Sequence, residues 1–155
     1  MILDEFLFSD NLFDGASKGN PRISGAGGLV FSPDRLIKSS FSWGLGIMSN
    51  NQAECYSLLI TCQIAKEKGY KSIQIFSNSE LLIKVLNVAD HFNNSALNKY
   101  LLRIQNILKE FDRVASFHIL WELNKTTDAL ANKASLLSQG NLSINGESNY
   151  FHPIP

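Results

Sequence analysis

Three carboxylates and one amide stand where an α/β chain can use them together. Asp14 follows the strand-like run 6–13 (FLFSDNLF) and opens the loop Gly15-Ala16-Ser17-Lys18-Gly19-Asn20-Pro21. Glu54 and Asp128 each lie in the first turn of an expected helix, and Asn78 follows a short apolar strand, Ser72–Phe76. Clustered carboxylates repel one another unless cations sit among them, so such a set suits metal binding. Beside a tight loop of small residues, it suits chemistry on a phosphate backbone. Each residue also has an ordinary explanation. Asp14-Gly15 resembles a surface turn, Glu54 three residues after Asn51 resembles a capping box, and an acid near a helix start is favoured by the helix dipole. The topology has to decide between the two.

The apolar pattern predicts strands over 6–13, Gly25–Phe31 and Leu36–Trp43, joined by short turns as an antiparallel meander. The period changes at Asn50. Cys55, Leu58, Leu59 and Cys62 then mark one face of a helix running to about Lys68 and ended by Gly69. After the strand Ser72–Phe76, Ser79 is placed to cap a helix Glu80–Asn87. A polar loop near Asp90–Asn94 leads to a helix marked by Leu97, Leu101, Ile104, Leu108 and Phe111. A last strand, Val114–Leu120, and a last helix, Lys125–Leu137 with Asn124 as cap, complete the pattern. The fold class is α/β, with three antiparallel strands and later strands parallel through helical crossovers. Residues 1–137 form the domain, and 138–155 read as a polar C-terminal tail. In such a sheet functional residues gather outside the carboxyl ends of strands, where all four positions fall.

Composition narrows the class further. A chain of 155 residues forms one domain, and equal numbers of acidic and basic residues (14 each) argue against nucleic-acid binding by bulk charge. Any nucleic-acid role must rest on a local site or on a host protein's other domains. Cys55 and Cys62 read as small core residues, since a metal site needs more ligands. With acid rather than base at the start and no apolar run of membrane length, the chain reads as intracellular, cytoplasmic or nuclear, not secreted, with no membrane partner.

Four segments now carry a resemblance: Asp14-Gly-Ala-Ser-Lys-Gly-Asn-Pro21, Ser49-Asn50-Asn51-Gln52-Ala53-Glu54, Phe76-Ser77-Asn78-Ser79-Glu80, and His118-x-x-x-Glu122-x-Asn124-x-x-x-Asp128-Ala-Leu-Ala-Asn132. In order and spacing they resemble the motifs of a ribonuclease H domain, in its archaeal-type form shared with plant reverse-transcriptase-like and retroelement proteins. The resemblance implies a five-stranded mixed sheet flanked by helices and endonucleolytic hydrolysis of the RNA strand of RNA–DNA hybrids. It implies two Mg²⁺ ions, with Mn²⁺ as a substitute, one activating water and one stabilising the leaving oxygen. Asp14, Glu54 and Asp128 match the family's acidic ligands, and Asn78 stands at the fourth. Ser17, Gly19, Asn20, Ser49, Asn50, Asn51, Gln52 and Ser79 fall where the family meets the hybrid. His118 and Asn124 fall at auxiliary positions. Other domains of a retroelement polyprotein are conceivable partners.

Asn78 departs from the pattern. An amide is neutral and cannot bridge two ions, so the resemblance implies impaired catalysis. Drift and deliberate replacement both give this residue, and the further departures at Ser77 and Trp121, where glycine and arginine are frequent, favour drift. The alternative function is a catalytically inactive hybrid-binding module or a retroelement remnant.

Overall fold

The computed structural model describes residues 8–17, 22–87 and 95–150. Strands β1 (Phe8–Ser17), β2 (Arg22–Phe31) and β3 (Lys38–Met48) form an antiparallel meander. Helix α1 (Asn50–Glu67) leads to β4 (Ser72–Ser77), α2 (Glu80–Asn87), α3 (Ser95–Leu108) and β5 (Arg113–His118). A 3₁₀ turn (Trp121–Asn124) then enters α4 (Lys125–Ala134). The sheet order is β5-β4-β1-β2-β3, extended past β3 by β6 (Asn141–Ile144) and β7 (Glu147–Tyr150). Because β4 and β5 run parallel to β1, and β3 returns in the same direction, four strands end on one edge of the sheet.

The expected α/β class and five-strand mixed core are present, and two further strands extend them. Within the segment read as a tail, residues 141–150 dock as a hairpin. β6 pairs with β3 through Phe41–Ile144 and Trp43–Leu142, and Leu142 is buried. Asn145 and Gly146, with φ of 51° and 85°, make the two-residue turn whose twist suits a hairpin. Asn145 also extends the pairing, accepting from the Ser40 N–H and donating its own N–H to the Ser40 carbonyl.

Two boundaries shift in ways that matter for the site. β1 continues to Ser17, so Asp14 lies inside a strand opposite Gly27 and not in a turn. β3 runs on to Met48 and delivers the chain directly to α1, whereas the exposed Leu36 and Ile37 precede it. Glycines at 44 and 46 hide this strand's apolar alternation; Gly44 is where the Ser138 carbonyl comes close. At the other end, β5 stops at His118 and α4 at Ala134.

One face of the sheet carries the main core. Phe13, Val30, Phe41, Trp43, Leu45, Ile73 and Ile75 pack against α1, α2 and α3. Helix α1 is covered nearly all round, as the buried Tyr56, Leu58, Ile60, Cys62 and Ile64 require of a helix apolar on most sides. Cys55 and Cys62 are free and buried, as expected of core thiols. The α1 C-terminus closes with the Gly69 N–H on the Lys66 carbonyl and the Tyr70 N–H on that of Ala65.

Among the described residues, helix α4 alone crosses the central strands on the opposite face. Both helices reach the sheet by seating backbone on glycine. A Cβ on Gly15 would lie 2.4 Å from the Ala53 carbonyl carbon and 2.5 Å from the Glu54 nitrogen; one on Gly27 would lie 2.5 Å from the Ala131 nitrogen. Gly15→Ala should therefore cost about 2–3 kcal/mol or more in urea denaturation, since backbone cannot move aside as a side chain can. A loss below about 0.5 kcal/mol would show that α1 is not held in this position.

Candidate active site

Asp14, Glu54, Asn78 and Asp128 line one cleft at the carboxyl edge of the sheet, with Gly15, Ala16, Ser17, Asn50, Asn51, Ser79, Trp121 and Asn132. Asp14 comes from β1, Glu54 from α1, Asn78 from the end of β4 and Asp128 from α4. Asp128 lies in the first turn of its helix as expected. Glu54 does not: α1 begins at Asn50, and its capping box is made by Ser49 and Gln52. The Ser49 Oγ accepts the Gln52 N–H, and the Gln52 Oε1 accepts the Ser49 N–H. Glu54 is thereby released from the capping role that its spacing from Asn51 suggests.

The backbone around Asp14 is fixed from several sides. The Gly15 N–H donates to Asp14 Oδ1 at 3.0 Å, and the buried Ser57 hydroxyl lies 2.7 Å from the Asp14 carbonyl. The Ser17 and Ser24 hydroxyls both donate to the Met48 carbonyl, tying the ends of β1, β2 and β3 beside the start of α1. On α4, Asn132 Nδ2 holds Asp128 from one turn on, at 3.2 Å from Oδ2. Asn132 stands in the motif, but its i+4 relation to Asp128 is what identifies it as a positioning group.

Asn124 is a buried polar side chain near the site and does not cap α4. Its Nδ2 donates to the Phe13 carbonyl at 3.0 Å and to Asn78 Oδ1 at 2.7 Å, while its Oδ1 accepts from Thr127. All of its hydrogen-bonding ends are directed at β1, β4 and its own turn. A cap would have used the same oxygen for the first free N–H groups of α4.

Not every expected contact residue reaches the cleft. Ser17, Asn50, Asn51 and Ser79 line it; Ser79 Oγ also accepts the Leu82 N–H at 3.4 Å, the predicted cap. Ser49 and Gln52 turn into the capping box, with Gln52 Nε2 also reaching the Tyr100 hydroxyl at 3.3 Å. His118 is exposed at the end of β5 and does not line the cleft. Gly19 and Asn20 lie outside the described residues.

The carboxylates are under electrostatic stress. Burial raises the Asp14 carboxyl from its usual 3.8 to about 6; contact with Glu54 pulls it back, and Asp128 pushes it up again. Burial, followed by the Asp14 carboxyl, holds Glu54 well above its usual value. Glu54 as a residue keeps some exposure, but its Oε2 is buried without a donor among the described residues, and the Asp14 carboxyl beside it is itself an acceptor.

These features fit a divalent cation bound by hard oxygens. Among the described residues no three Asp, Glu, His or Cys side chains form a ready-made cage.

The stress has a pH signature. Both carboxyls bind protons more tightly folded than unfolded, so the stability they contribute to the metal-free protein is fully present below about pH 4 and is lost as pH rises through about 6. Asp14→Asn should therefore stabilise the metal-free protein by about 1 kcal/mol or more at pH 7.5 and little at pH 4. Urea denaturation at the two pH values measures this, and a destabilised variant at pH 7.5 would refute the strained-carboxylate account.

Comparison with known proteins agrees with this geometry. Residues 12–134 match the family described as reverse transcriptase-like. Ribonuclease HI of Halobacterium salinarum is 34% identical over 122 residues, covering 79% of this chain and 61% of that protein. Other curated relatives, from Arabidopsis thaliana and Mycobacterium, are matched over 20% and 34% of their length. The chain thus spans only part of each. The crystal structure of RNase H1 from Halobacterium salinarum superposes with a TM-score of 0.77 at 32% identity, over 81% of this chain and 96% of that one. An RNase H1 solved in complex with RNA/DNA hybrid gives a TM-score of 0.72 at 25% identity, over 81% and 95%. With the family matched across most of its length, the chain belongs to the reverse transcriptase-like family and is a ribonuclease H domain.

Proposed function

We propose that this domain binds RNA–DNA hybrid across the cleft and hydrolyses the RNA strand by metal-assisted phosphodiester cleavage, at a rate held down by Asn78. The observation that carries the reading is the convergence of Asp14, Glu54 and Asp128 on one cleft, with a buried Glu54 oxygen that has no donor among the described residues. Divalent cations, two in the full mechanism, would supply the positive charge that offsets the charge building on the phosphate. The chain's own residues hold the carboxylates: Gly15 seats α1, Asn132 orients Asp128, and Ser57 fixes the strand at Asp14. Ser17, Asn50 and Asn51 offer neutral hydroxyl and amide groups to sugar and backbone, which suits recognition by shape and 2′-hydroxyl rather than by sequence.

Asn78 acts through its orientation as well as its lost charge. Asn124 must present Nδ2 to the Phe13 carbonyl, and the same nitrogen takes Asn78 Oδ1. The oxygen of Asn78 is thus already committed, and the opposite end of its amide is an NH₂ group. An aspartate there would give one oxygen to Asn124 and keep the other for a cation. Asn78→Asp should raise cleavage of a labelled hybrid by about a hundredfold or more in Mg²⁺, corresponding to about 3 kcal/mol of transition-state stabilisation. Equal cleavage by both proteins in Mg²⁺ and in Mn²⁺ would refute a limiting role for Asn78.

The same committed oxygen favours a second reading, a hybrid-binding module that does not cut. It requires retention of hybrid in a gel shift with no product at long times, and absence of retention would end it.

A further inference from the structure

We propose that Trp121 is a stacking platform for an unpaired nucleobase, so that the domain prefers a hybrid bearing a single-stranded tail over a blunt one; this rests on the hybrid-binding reading above. The chain has two tryptophans, with opposite fates. Trp43 is 2% exposed in the core, whereas Trp121 is 49% exposed and lines the cleft beside Asn78 and Ser79. Its neighbours Leu120 and Leu123 are also open, at 65% and 68%. A large apolar surface is thus presented at the mouth of a site otherwise lined by polar groups. Packing does not explain it, because the ring supports no core.

The chemistry around the ring specifies the ligand. Lys125 Nζ lies 5.3 Å from the ring centroid, placing a cation against the aromatic surface while about half of the side chain stays open. An aromatic face paired with a nearby positive charge is the combination that holds single-stranded nucleic acid, the ring taking a base and the cation the adjoining phosphate. Bases inside a hybrid duplex already stack on one another and offer no free face. Only an unpaired base, at a tail or junction next to the duplex, can occupy Trp121.

The test uses a blunt hybrid, the same hybrid with a short single-stranded tail, and one with an abasic tail. The wild-type protein should bind the tailed hybrid about tenfold more tightly than the blunt or abasic-tailed one. Trp121→Ala should bind the three ligands with equal affinity, losing the tenfold preference, while Trp121→Phe keeps most of it. Tailed hybrid should quench wild-type tryptophan fluorescence but leave Trp121→Phe, which reports only Trp43, unchanged. Equal wild-type affinity for all three ligands, or a tail preference that survives in Trp121→Ala, overturns the assignment while leaving hybrid binding intact. Failure of the wild type to bind any hybrid instead overturns the functional reading, and the assignment with it.

Discussion

The site depends on two helices reaching backbone distance of the same pair of strands from opposite faces. β1 and β2 lie between α1 and α4, and neither helix could come so near if the contacting strand residue had a side chain. Gly15 admits the first turns of α1, and Gly25 and Gly27 admit α4, whose backbone stands where their Cβ atoms would be. Ser42 adds a hydrogen bond from β3 to the Leu130 carbonyl of α4. Glu54 and Asp128 therefore converge on Asp14 as a consequence of backbone packing, which is stiff, rather than of long side chains reaching inward, which are not. A metal-assisted site needs that stiffness, since the carboxylates must be held together against their repulsion before a cation arrives.

That repulsion is opposed by neutral hydrogen bonds around the carboxylates. The Gly15 N–H and the Asn132 amide donate to carboxyl oxygens of Asp14 and Asp128, while Asn124 binds β1 to the end of β4 without bringing another charge. The buried Asn124 is satisfied at every polar end, so it adds rigidity at little cost; a half-satisfied group there would be destabilising. The core on the other face supplies the stability that the strained cleft consumes, with the edge-to-face contacts Trp43–Tyr56 and Tyr56–Tyr100 linking β3, α1 and α3.

The parts of this arrangement legible in the sequence are those with local signatures. Periodicity shows α1, Gly69 shows its end, and the order of acidic positions along an α/β pattern shows which edge of the sheet they share. Residues with two compatible roles are harder to read. Ser49 and Asn51 are both acceptable caps, and only the chain's exit from β3 selects Ser49. Asn124 is an acceptable cap as well, but a buried carbonyl on β1, more than a hundred residues away in sequence, captures its side chain. The β6–β7 hairpin was within reach, because Asn145-Gly146 between Ile144 and Glu147 is a strong turn signal. The polar composition around it concealed Leu142, the buried residue that docks the strand, and the partly buried Ile144 beside it. This hairpin follows the part of the chain that matches the family, and it covers the β3 edge that would otherwise be open to another strand.

Position 78 separates two demands that a nuclease site usually meets with the same residues. Cleaving a phosphodiester calls for many carboxylates, because they hold the cations. Binding a polyanion calls for few, because each unneutralised carboxylate repels the backbone. In a chain whose acidic and basic residues balance, no excess of positive charge offsets a cluster of acids in the cleft. Asparagine at 78 keeps the bond to Asn124, and with it the geometry of β1 and β4, while removing one negative charge from the path of the hybrid. On the proposed reading, affinity for hybrid would be preserved or raised by the same change that slows the chemistry. The cleft would then be better adapted to holding a hybrid than to cutting it, and the open face of Trp121 would add to holding alone.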